Sequence, residues 1–156
     1  MRVLEGAFLF VGGLVFHWLF ATHLSFWGLS PHVLLLLTLG AASAAGPVPG
    51  LCLGFAWGLA LDALSGHVFG GNALGLTLVA YAVGMLRRQM DVASPPSQAV
   101  VSAAFWPLYA LFYGLVGQVF ERRFLWPGWG PFLLDPLYTA FLAPFAFSAA
   151  RRFLRP

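Results

Sequence analysis

Apolar stretches recur along the whole 156-residue chain, separated by short clusters of glycine, proline, serine and arginine. Each stretch is long enough to approach the ~30 Å hydrocarbon layer of a bilayer, and no segment is left from which a soluble domain would form. The pattern predicts six helices, over residues Val3 to Phe20, Pro31 to Ala45, Pro49 to Leu64, Asn72 to Leu86, Pro95 to Phe120 and Pro136 to Phe153. Ser30-Pro31, Ser94-Pro95 and Asp135-Pro136 each set a capping side chain before a proline, where the missing N–H is harmless at a first helical position. Pro107 and Pro144 fall inside helices and are expected to bend them. The second segment is short: fifteen residues rising ~1.5 Å each reach only ~22 Å.

Composition agrees with a membrane domain, at 60% hydrophobic and 8% charged residues. We therefore expect one all-α integral membrane domain over 1–156. The first helix lacks a small-residue cleavage site and reads as retained. All eight basic residues are arginines at the ends of apolar segments, so they report topology and not nucleic acid. Six spans with the N-terminus inside put Arg2, Arg87, Arg88, Arg151, Arg152 and Arg155 on the inner side and only Arg122 and Arg123 outside. If the second segment failed to cross, the division would be less biased, so six spans with both termini cytoplasmic is the expected topology. The segment Glu121 to Pro131, with paired arginines and two tryptophans, is expected to lie in the headgroup layer.

One carboxylate, Asp62, stands within an apolar run. Gly50, Gly54, Gly58 and Asp62 are spaced by four, a small-residue stripe that lets helix backbones touch; Gly71, Gly75, Ala110 and Gly114 offer surfaces to receive it. An ionised carboxylate at this depth costs on the order of 3 kcal/mol unless something receives it. The backbone N–H groups at Gly70, Gly71 and Asn72, where the fourth helix opens, are the candidate receivers. Asp62 then staples the turn between the third and fourth helices; contact with a partner protein, or a proton or substrate role, are the alternatives. Replacing it by Asn is expected to preserve folding largely, and by Leu to loosen the turn. His17, His23, His32 and His67 lack metal-ligand spacing. Gln118 and Tyr113 are candidates for bonds between helices. Cys52 reads as a small buried residue. No set of acid, base and nucleophile is present, so no enzyme, metal or cofactor is expected.

The run Gly58-Leu-Ala-Leu-Asp62-Ala-Leu-Ser-Gly66-His-Val-Phe-Gly70-Gly-Asn-Ala-Leu74, followed by Val79-Ala-Tyr81, resembles the MreD family of rod-shape-determining bacterial inner-membrane proteins. The resemblance implies a non-enzymatic scaffold of the cell-elongation machinery that binds MreC and works alongside actin-like MreB and the SEDS glycosyltransferase with its class B penicillin-binding protein. It also implies a fold like the six-helix substrate-binding subunits of energy-coupling-factor vitamin transporters, which supplies the alternative function. On the scaffold reading, partner helices dock on small-residue strips such as Gly6, Gly12 and Gly13, or Ala103, Ala110 and Gly114. The Arg122-Arg123 pair meets acidic groups of a periplasmic partner or reaches lipid phosphates.

Overall fold

The computed structural model describes residues 3–23, 29, 31–66, 68–89, 92 and 94–154. Arg2, His67 and Arg155 lie outside them. The described residues form six helices and no strand: α1 (Val3–His23), α2 (Val33–Ala45), α3 (Pro47–Ser65), α4 (Gly71–Leu86), α5 (Pro95–Phe120) and α6 (Trp129–Leu154). α1, α3, α5 and α6 are each long and apolar enough to cross a membrane, whereas α2 and α4, at 13 and 16 residues, are shorter.

The brevity of α2 has a physical reason. Every residue from Val33 to Ala42 is buried, so protein covers the helix on all sides. It touches all five other helices. A helix that never meets lipid has no hydrocarbon thickness to match. The apolar surface that does face outward belongs to the others, most of all to α1, where Leu4, Phe8, Val11, Phe16 and Trp18 are exposed. In a membrane protein such faces meet lipid at no cost. Cys52, expected in the interior, is also exposed, on α3.

Close packing rests on glycine. A Cβ on Gly50 would stand 2.7 Å from the Ala42 Cβ of α2, and one on Gly58 only 2.2 Å from the Ala73 Cα of α4. Gly54 lies between, against Leu76 of α4 and Thr38 of α2. The stripe thus seats α3 on two neighbours at once. The surfaces expected to receive it do not: Gly71 and Gly75 face Tyr113 and Tyr109 of α5, and Gly114 is covered by Phe124. Trp57 of α3 donates its indole N–H to the Phe10 carbonyl of α1 at 3.0 Å and lies over Gly13.

Of the three starts marked by a capping residue before proline, two differ from expectation, while α3 and α4 begin one or two residues early, at Pro47 and Gly71. α2 begins at Val33, two residues beyond Pro31, and Ser30 lies outside the described residues. α6 begins at Trp129, so Asp135-Pro136 is interior and Asp135, far from capping a helix end, is buried. The six residues before it turn helical because Trp129 and Phe132 find aromatic neighbours in Trp126 and Trp106. Ser94 does precede α5, but its hydroxyl pairs with Ser97 Oγ at 2.8 Å and not with a backbone N–H.

Gly58→Ala is expected to force α3 and α4 apart and destabilise the protein by about 1–3 kcal/mol, the usual range for overpacking. Gly12→Ala, where a Cβ meets nothing within 4 Å among the described residues, is expected to be neutral or slightly stabilising. Unfolding midpoints of the two variants in mild detergent make the comparison.

Candidate functional site

α3 ends at Gly66 and α4 begins after Gly70, both with left-handed backbone (φ 66° and 97°) that glycine adopts without strain. The tight reversal brings the start of α4 beside Asp62, one turn before the end of α3. Helix starts leave backbone N–H groups unpaired, and Gly70, the residue preceding α4, has no side chain to cap them. Asp62 caps them from the neighbouring helix. Its Oδ2 accepts the N–H groups of Gly70 at 2.9 Å and Ala73 at 3.0 Å; its Oδ1 accepts the backbone N–H and the side-chain Nδ2 of Asn72, both at 2.9 Å. The Gly71 N–H, expected among the receivers, instead donates to the Val68 carbonyl at 3.1 Å.

Four donors thus surround a carboxylate that is only 2% exposed. They and the positive end of α4 replace the water it has lost. Asn72 carries the arrangement onward, because its Oδ1 accepts a hydrogen bond from the Tyr109 hydroxyl of α5. The chain Asp62, Asn72, Tyr109 ties three helices together. Tyr109 was not singled out in the sequence, where Gln118 and Tyr113 were; Gln118 is exposed.

Beyond Tyr109 lies a cavity of about 440 Å³. His32, Trp106, Tyr109, Tyr113 and Asp135 line its walls, and residues 123–127 of the α5–α6 loop line its rim. His32 stacks edge-on against Tyr109 and Trp106, with ring centres 5.5 and 6.0 Å away. Trp106 is 1% exposed, and its indole N–H has no acceptor among the described residues. A buried donor in that state costs about 1–3 kcal/mol.

The loop is aimed by its own backbone. Arg122 has φ 54°, a left-handed conformation that a side chain adopts at a penalty. The chain there folds back on α5, laying Phe124 on Gly114 and Leu125 on Gly117, and Trp126 reaches Phe132 of α6 at 4.7 Å. The two α5 glycines therefore receive the protein's own loop. Arg123 is thereby brought to the cavity, while Asp62, Gly58, Gly66, Gly70 and Asn72 gather at the turn. Gly50 and Gly54 sit further along α3 and serve packing. Among the described residues no three His, Cys, Asp or Glu side chains gather as a metal set.

Among known families, the model for MreD, described as rod shape-determining protein MreD, matches residues 1–120. That range spans α1 to α5 and stops before the loop and α6. No curated protein and no solved structure matches the chain.

Because both oxygens of Asp62 accept two bonds each, an amide there turns an NH₂ toward existing donors. The sequence-based expectation of near-normal folding in Asp62→Asn is thereby revised: about 2–4 kcal/mol of destabilisation is expected, with a comparable or larger loss in Asp62→Leu. Equal unfolding midpoints for the three proteins in detergent would sink the clamp.

Proposed function

Since the chain belongs to the MreD family of rod shape-determining proteins, we propose that it is a non-enzymatic, multi-pass scaffold of the bacterial inner membrane that binds MreC and supports peptidoglycan synthesis. The family match across α1 to α5 carries this reading, and it gives the chain a role in rod shape determination. The SEDS glycosyltransferase and class B penicillin-binding protein are the further partners, and both termini lie in the cytoplasm. The arginine distribution supports that orientation, with Arg87 and Arg151 near the inner end and the Arg122-Arg123 pair outside.

The lipid-facing helices support a docking role. A partner's membrane helix gains little from apolar contact alone, because lipid is equally apolar, and depends on close van der Waals fit. Gly12 of α1 offers a place for such an approach, since no described residue comes within 4 Å of a Cβ placed there. The Gly114 strip of α5 is withdrawn from that role by Phe124.

The test is purification of the protein from its native membrane in mild detergent, with mass spectrometry of everything that accompanies it. Recovery of MreC and the peptidoglycan synthases is expected. Recovery of an energising ATPase module in their place would replace the scaffold by the substrate-binding subunit of an energy-coupling-factor type transporter, a reading that the six-helix form and the cavity favour.

A further inference from the structure

The cavity beside Tyr109 takes no part in the Asp62 clamp beyond the wall they share. At about 440 Å³ it falls in the range of small-molecule sites, which run from ~300 to 1,000 Å³ and are mostly apolar with a few placed polar groups. Its walls are rings: Trp106, Tyr109 and Tyr113 of α5 and Trp126 of the loop. Most of the polar groups among them are already committed. The Tyr109 hydroxyl and the Asn72 amide bond each other and Asp62, and Asp135 is engaged within the protein. The Arg123 side chain, exposed on the loop, has no partner among the described residues. The loop that carries it is well anchored. The Arg123 N–H donates to the Gly117 carbonyl at 3.4 Å, Phe124 and Leu125 lie on Gly114 and Gly117, and Trp126 packs on Trp129 and Phe132 at 5.2 and 4.7 Å. The cavity is therefore formed before any ligand arrives, and little ordering is needed to fill it.

One free cation at the rim of an aromatic cavity selects a ligand by elimination. A sugar or another strongly polar molecule needs several groups free to bond it, and Asn72 and Tyr109 have none to spare. A cation meets the Arg123 guanidinium and finds no free carboxylate to receive it. A neutral apolar molecule fills the space and leaves Arg123 unused. An acid on a flat apolar body uses both, because the guanidinium fork matches a carboxylate and aromatic rings pack edge-on or offset against one another. We propose that the cavity binds a small aromatic acid, its carboxylate at Arg123 on the rim and its ring against Trp106 and Trp126. A fatty acid from the bilayer carries the same chemistry, a carboxylate on an apolar body, and is its second source. The site goes beyond the scaffold role and is independent of which partner covers the outer helix faces.

The experiment uses the full chain, purified in an uncharged detergent, and measures binding by calorimetry. The probes are indole-3-propionate and octanoate, each compared with its own neutral amide. Indole-3-propionate is expected to bind about tenfold more tightly than indole-3-propionamide, the effect of one charge-assisted pair. Arg123→Gln is expected to erase that advantage, whereas Arg122→Gln, outside the lining, is expected to keep it. Ala110→Phe, which sets a ring into the cavity from α5, is expected to weaken acid and amide alike. Octanoate bound more tightly than indole-3-propionate, with the same dependence on Arg123 and Ala110, supports the acid site and assigns its occupant to the bilayer. The proposal is overturned if neither acid outbinds its amide, if Arg123→Gln binds like the wild type, or if Arg122→Gln weakens binding as much as Arg123→Gln, which marks a diffuse surface charge. Arg123→Gln changes an exposed side chain and keeps the backbone bond to Gly117, so it decides the matter even where Ala110→Phe fails to fold.

Discussion

A carboxylate buried among apolar helices has to be solvated by the protein, and much of this structure is arranged around meeting that demand for Asp62. Three backbone N–H groups and one side-chain amide do so, all from the segment that opens α4. The need is mutual. The start of α4 has unpaired donors and no capping side chain of its own, so each partner removes the other's cost. The distance this fixes between α3 and α4 is the one at which Gly58 touches Ala73, where any larger residue would push the helices apart. Because Asn72 also receives Tyr109, the same interaction sets where α5 lies.

Elsewhere the bundle is held by shape. Lipid provides no hydrophobic drive between helices, so contact must come from surfaces that fit. Gly40 against Ala150, Gly50 against Ala42, Gly84 against Pro47 and Gly13 beneath Trp57 are such surfaces, each closed by a different neighbour. α2 is enclosed by these contacts. Its run of leucines is buried in protein, where a span of ordinary length would have met lipid.

The clamp was legible in the sequence because its signal is local: one acid in an apolar run, then glycines and Asn72 at a helix start eight to ten residues on. The choice of N–H groups was not, since which of Gly70, Gly71, Asn72 and Ala73 faces Asp62 depends on the turn's geometry. Asp135 was misread because Asp-Pro looks like a helix start even where Trp129 to Leu134 extend the helix backwards by aromatic packing. Gly114 was misread because a small residue on a helix looks the same whether it awaits a partner or the protein's own Phe124. The cavity was least legible of all, being assembled from His32 ahead of α2, from α4, α5 and α6, and from the loop by contacts far apart in the chain.

The clamp and the cavity share one residue, and that sharing divides their roles. Asn72 lines the cavity, yet its amide nitrogen is committed to Asp62 and its oxygen to Tyr109. Its commitment leaves the α4 side of the cavity with little hydrogen-bonding capacity to give. Asp135 of α6 and residues 123–127 of the loop, which complete the lining, lie beyond the range in which the chain matches its family. The loop, resting on two glycines of α5 and on Phe132 of α6, closes the cavity by contacts that are separate from the three-helix clamp.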